Sequence, residues 1–171
     1  LLLQFIRKYD EMELLKIHNA NFGNLIHLFQ LRDELLKINS KFEKTIDIDR
    51  IIIDFINLNE FSLSLRCQNT CKIIYPLICE FQISDNIIVS LIGKAEDDSY
   101  IINNTLLLLS IRRRKYAVIE AILNKVYIYD KDFIKNILFS PDEFNEIAYD
   151  KIMYGDFPIN IVEKVFRLKN N

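Results

Sequence analysis

Three glycines and three prolines in 171 residues set the first limit on what this chain can fold into. Average usage is about 7% Gly and 5% Pro, and a β-sandwich needs a turn signal roughly every 8–12 residues. With so few turn formers the chain reads as all-α. Gly23, Gly93 and Gly155 also stand too far apart for a G-x-G-x-x-G or Walker loop. That spacing excludes dinucleotide-binding and P-loop NTPase readings.

A chain this long can remove roughly 70% of its unfolded surface from water, so it needs no disulfide staples. Cys67, Cys71 and Cys79 are odd in number, and the first two are spaced i,i+4 along one side of a helix. They read as reduced thiols in a cytoplasmic compartment, with Cys71 and Cys79 expected to be buried. His18 and His27 lie forty or more residues upstream, too remote in sequence to suggest a zinc set, and no metal or cofactor is expected. The formal charge of −2 gives no general attraction to nucleic acid or anionic lipid. No run approaches the eighteen or so apolar residues of a membrane span. Leu1-Leu2-Leu3 has neither an initiator Met nor a basic flank and reads as a chain entered downstream of its true start. Abundant Ile and Asn with little Ala suggests AT-rich codon usage, as in an intracellular parasite, a symbiont or a large virus.

Apolar residues recur at three- and four-residue spacing in short bursts separated by Asn, Asp and Ser. This predicts helices over roughly 1–9, 11–18, 24–38, 48–58, 70–82, 85–92, 104–112, 116–126, 131–139, 142–153 and 158–168, within one helical domain spanning 1–171. Ser140-Pro141-Asp142-Glu143 has the form of a capping box, and Asp156 ahead of Pro158 suggests another helix start. Gly93 and Gly155 fall where left-handed C-caps are expected. Val126-Tyr127-Ile128-Tyr129 is β-prone and predicts an extended segment.

Short helices in series bury their faces by stacking, and a repeat would betray it. Residues 75–92 and 105–123 align without a gap at an offset of thirty, placing Pro76 on Leu106, Leu77 on Leu107, and Ile88-Val89 on Val118-Ile119. Both segments resemble ankyrin repeats, with Pro76, Leu77, Thr105 and Leu107 standing for the T-P-L core. Ile88-Val89, Val118-Ile119, Leu91-Ile92 and Ile122-Leu123 stand for the later apolar pairs. A fainter copy begins at Gly23, with His27 at the repeat's histidine. The repeat's Ala is Glu80 or Ser110 here, and its turn Gly is Ser84 or Arg114. The resemblance implies helix-turn-helix units near 24–58, 75–98 and 105–127, with further helices over 131–168. They stack as a solenoid or, given those substitutions, as an irregular helical array. Phe157, Pro158, Ile161, Val165 and Phe166 resemble the opening helix of an F-box, which closes ankyrin proteins of poxviruses. A Pro-started amphipathic helix accounts for the same residues.

Arg112-Arg113-Arg114-Lys115 is the densest basic run, followed by Tyr116. The repeat resemblance puts it in a turn between paired helices, and puts Glu96-Asp97-Asp98 on the projecting finger. These eight residues form the predicted partner-binding surface, because guanidinium groups supply bidentate donors for an acidic protein. An acidic finger beside a basic turn opposes nonspecific phosphate binding within about a Debye length. Asp47, Asp49, Asp130 and Asp132 precede apolar bursts and read as helix-start acids. No nucleophile stands with a base, so no enzyme is expected. The expected function is a noncatalytic protein–protein interaction module. The alternative is a small helical subunit of a large assembly such as a ribonucleoprotein, with 112–115 contacting phosphate. Neither reading includes a membrane or a small-molecule substrate.

Overall fold

The computed structural model describes residues 22–38, 47–58, 68–96, 101–129 and 131–170. The helices expected over 1–9 and 11–18 lie outside these residues, as do His18, Cys67, Asp97, Asp98, Asp130 and the side chain of Cys71. The protein is all-α, and among the described residues no helix is long and apolar enough to cross a membrane. The chain divides into two compact units, Leu1–Ser62 and Leu63–Asn171.

In the first unit α1 (Phe22–Ile38) packs on α2 (Ile48–Leu58). Ile48, Ile51, Ile52, Phe55 and Ile56 follow an i, i+3, i+4, i+7, i+8 stripe, and all are buried with Leu25, Leu28 and Phe29. Asp47 caps α2 by accepting the Arg50 amide at 3.0 Å. Asp49 does more than complement the helix dipole: it accepts from Nε of the buried Arg32 at 2.6 Å, joining the two helices. His27 lies exposed on α1 beside Gln30.

The second unit contains α3 (Gln68–Cys79), α4 (Asp85–Lys94), α5 (Asn104–Arg112), α6 (Tyr116–Val126), α7 (Lys131–Phe139), α8 (Ala148–Met153) and α9 (Ile159–Asn170). Its core is densest where α4 meets α6. Ile87, Ile88, Leu91 and Ile92 face Val118, Ile119, Ile122, Leu123 and Val126, all buried. Each such side chain contributes about 1.5–3 kcal/mol of burial. Lys115 reaches Asp85 at the start of α4, while Lys125 and Tyr129 reach the Gly93 and Ala95 carbonyls at its end. α4 and α6 therefore run side by side in one direction. α9 lies along the other flank of α6, with Asn160 and Lys164 on Glu120 and the Phe157 ring edge-on to Tyr116. α5 packs on α6 and α8, α8 on α9, and α7 on α5 and α8. Of the five residues that carry the F-box resemblance, Ile161 and Val165 are buried in this core, Phe157 and Pro158 are half-buried and Phe166 is exposed.

Two turns repeat. After α3, the Phe81 amide donates to the Ile78 carbonyl and the Gln82 amide to Leu77; after α5, the Arg114 amide donates to Ile111 and the Lys115 amide to Ser110. These are Schellman caps with left-handed residues Phe81 (φ 53°) and Arg114 (φ 52°), thirty-three positions apart. Second helices match at thirty-one instead, since Ile87 and Ile88 occupy the places of Val118 and Ile119. The gapless offset of thirty therefore slips the register: Val89 is half-buried, and Pro76 lies inside α3 rather than opening it.

Other local expectations change for identifiable reasons. Residues 142–147 form no helix, because one Asp142 carboxylate oxygen takes the Phe144 and Glu146 amides, closing a loop with Asn145 at φ 59°. Ser140 bonds Asn136 rather than capping. Gly93 is inside α4 and neither Gly93 nor Gly155 has positive φ. Gly155 serves close approach instead: a Cβ there would stand 2.3 Å from the Lys151 carbonyl oxygen and 3.0 Å from the Phe157 ring. Val126 ends α6 and residues 127–129 form a turn, not an extended strand. Cys79 is a free thiol that is half-buried rather than buried, and burial raises its pKa above that of an ordinary thiol. Ser110 is fully buried because its hydroxyl donates to the Leu106 carbonyl at 2.8 Å.

Candidate interaction surface

Because the amide groups of Arg114 and Lys115 turn back to cap α5, the side chains of 112–115 spread outward from a rigid turn. Each meets a different neighbour. Arg112 forks onto Asp142 and Glu146, with its guanidinium 5.1 Å from the Phe144 ring centre. Arg113 lies 5.0 Å from the Phe81 ring centre and donates to the Glu80 carbonyl at 3.3 Å. Arg114 stands 3.8 Å from Asp156 in an open pair whose side chains are 61% and 97% exposed. Lys115 bonds Asp85 at 2.9 Å, also against the Phe81 ring.

The result is one end of the second unit made from four turns, at residues 80–84, 113–115, 140–147 and 154–158. Its electrostatics centre on Arg112. The Lys151 ammonium, followed by the Arg112 guanidinium, holds the Glu146 carboxyl below its usual range. Burial pushes Asp142 upward, but the amides of Glu146 and Phe144 and the Arg112 guanidinium together outweigh it and leave the carboxyl low. Donation to the Glu146 carboxylate in turn raises Arg112. Arg112 and Lys115 thus tie turns together, while Arg113 and Arg114 remain the outward cations.

Phe144 (67% exposed) and Tyr154 (84% exposed) extend this end. Sequence reasoning missed both, Phe144 because it sits in a segment with helix-start spacing, and Tyr154 because a lone aromatic before Gly155 carries no pattern. Tyr116 is half-buried against Phe157. Glu96 is exposed but follows the far end of α4, about 15 Å along the helix from the Asp85–Lys115 pair at a rise of about 1.5 Å per residue. The basic turn and the start of the acidic finger are therefore not neighbours. Arg and aromatic side chains on a rigid frame have the composition of a protein-binding centre. Among the described residues no group of three or more His, Cys, Asp or Glu is arranged to hold a metal ion. No protein-family model, no curated protein and no solved structure matches the chain.

Proposed function

We propose that this chain is a noncatalytic protein-interaction module built from stacked helix pairs that resemble ankyrin repeats, working in a reducing cytoplasm. The observation that carries the reading is the exposure of Arg113, Arg114, Phe144 and Tyr154 on one end of the second unit, held there by ion pairs between turns. The matching left-handed caps and the side-by-side α4, α6 and α9 support the repeat resemblance. Arg112 and Lys115 are already engaged with carboxylates, which weighs against a phosphate-binding role for this run.

The test is affinity capture at physiological salt with wild type and the R113E/R114E double variant. Partner recovery falls at least about tenfold for the variant if the turn carries binding, since charged contacts at an interface are worth roughly 2–5 kcal/mol when buried. Equal recovery removes this surface. RNA recovery that drops steeply with salt replaces the protein partner by a nucleic acid.

A further inference from the structure

Along α6 and α9, about 16 Å from the basic turn at the usual helical rise, lies a groove of roughly 200 Å³ lined by Leu123, Asn124, Tyr127, Lys164, Arg167 and Leu168. Clefts for drug-sized ligands are about 300–1,000 Å³, so this one suits a single large side chain. Leu123 and Leu168 make an apolar floor. Tyr127, 57% exposed, and Arg167 form its rim. Arg167 touches Glu163 only at 3.8 Å, and its fork stays open. Among the described residues no carboxylate lines the groove. Arg167 also complements the C-terminal dipole of α9, but that role leaves the exposure of Tyr127 and neighbouring Ile128 unexplained.

We infer that this groove binds an acidic amphipathic segment of a partner protein. One large apolar side chain sits on Leu123 and Leu168, and a flanking carboxylate faces Arg167, since Lys164 is already held by Glu120. Charge complementarity favours that occupant, and a buried apolar anchor within a polar rim is the usual helix-in-groove arrangement. A nucleic-acid strand would instead want a continuous basic track, where this groove has two cations, one of them already on Glu120. The inference rests on the interaction-module reading but uses a different face, so the two fail separately.

The experiment measures fluorescence anisotropy of a labelled peptide of about twelve residues, with Leu and Phe spaced i,i+4 among Asp and Glu. A control peptide carries Lys at every acidic position. The acidic peptide saturates the wild-type chain in the micromolar range and the basic one does not. Arg167→Glu, Arg167→Gln and Tyr127→Ala each weaken binding about tenfold with unchanged far-ultraviolet circular dichroism, whereas R113E/R114E leaves it intact. Absence of saturation below about 1 mM, equal binding of both peptides, or indifference to the Arg167 variants overturns the inference. So does displacement of the peptide by an oligoribonucleotide that is itself sensitive to Arg167→Glu.

Discussion

The turn that closes α3 puts Phe81 in the left-handed position, and the turn that closes α5 puts Arg114 there, with the same pair of backbone hydrogen bonds in each. A helix end must find donors for its last carbonyls whatever the side chains are. The backbone therefore repeats while the chemistry does not. Phe81 offers a ring on which Arg113 and Lys115 of the next turn rest, and Arg114 points out toward Asp156. One turn is a seat within the fold and the other a tip on its surface. The connection after Phe81 also runs two residues longer before its second helix begins, which is why first helices match at thirty-three and second helices at thirty-one.

The strongest challenge to this equivalence comes from the core. Ile88→Ala and Ile119→Ala, both at fully buried positions, should each cost about 2–5 kcal/mol in chemical denaturation. Similar losses sharpen the pairing of α4 with α6, and a loss at one position alone breaks it.

A smaller effect comes from the ion pairs of Arg112 at the second turn. Asp142 and Glu146 have folded pKa values below the unfolded ones, so their contribution is present above the ordinary carboxylate range and fades as pH falls through the lower folded values. Arg112→Ala should lower the melting midpoint near neutral pH by a few degrees at most, the scale of exposed ion pairs. It should also flatten the acid limb of the midpoint-versus-pH curve. An unchanged acid limb removes Arg112 from that dependence.

The two left-handed residues should respond with different signs. Arg114→Gly relieves a strained φ and raises stability by about 0.5–1 kcal/mol, net of glycine's extra unfolded-state entropy. Phe81→Gly gains the same relief but removes the ring beneath two cations, so denaturant titration should show no gain or a loss. Equal gains would show that the Phe81 seat contributes nothing. The least stability change belongs to Arg114→Glu, within about 0.5 kcal/mol because its side chain is exposed and only loosely paired, and equilibrium unfolding checks it.

Helix positions were legible because local spacing and composition decide them: 48–58, 104–112, 116–126 and 131–139 match α2, α5, α6 and α7 end to end. The misreadings cluster where a side chain competes for backbone amides, as Asp142 does, or where a non-glycine residue takes a left-handed conformation, as Phe81 does after α3 and Asn145 does in the 142–147 loop. Neither carries a reliable local pattern. The basic run was visible as a run, but its division into tying residues, Arg112 and Lys115, and outward ones, Arg113 and Arg114, was not. That division depends on carboxylates thirty or more positions away.

By itself the sequence determined the all-α class, because scarce Gly and Pro and three-to-four spacing act within a turn or two of chain. Tertiary structure alone decided which helices lie together, why Glu96 and Arg113 stand at opposite ends of α4 and α6, and that Tyr127 and Arg167 line one groove. Those facts arise when buried faces such as Ile87–Ile92 and Val118–Val126 choose each other. Hydrophobic burial rewards area without regard to sequence separation, so no local pattern records the choice.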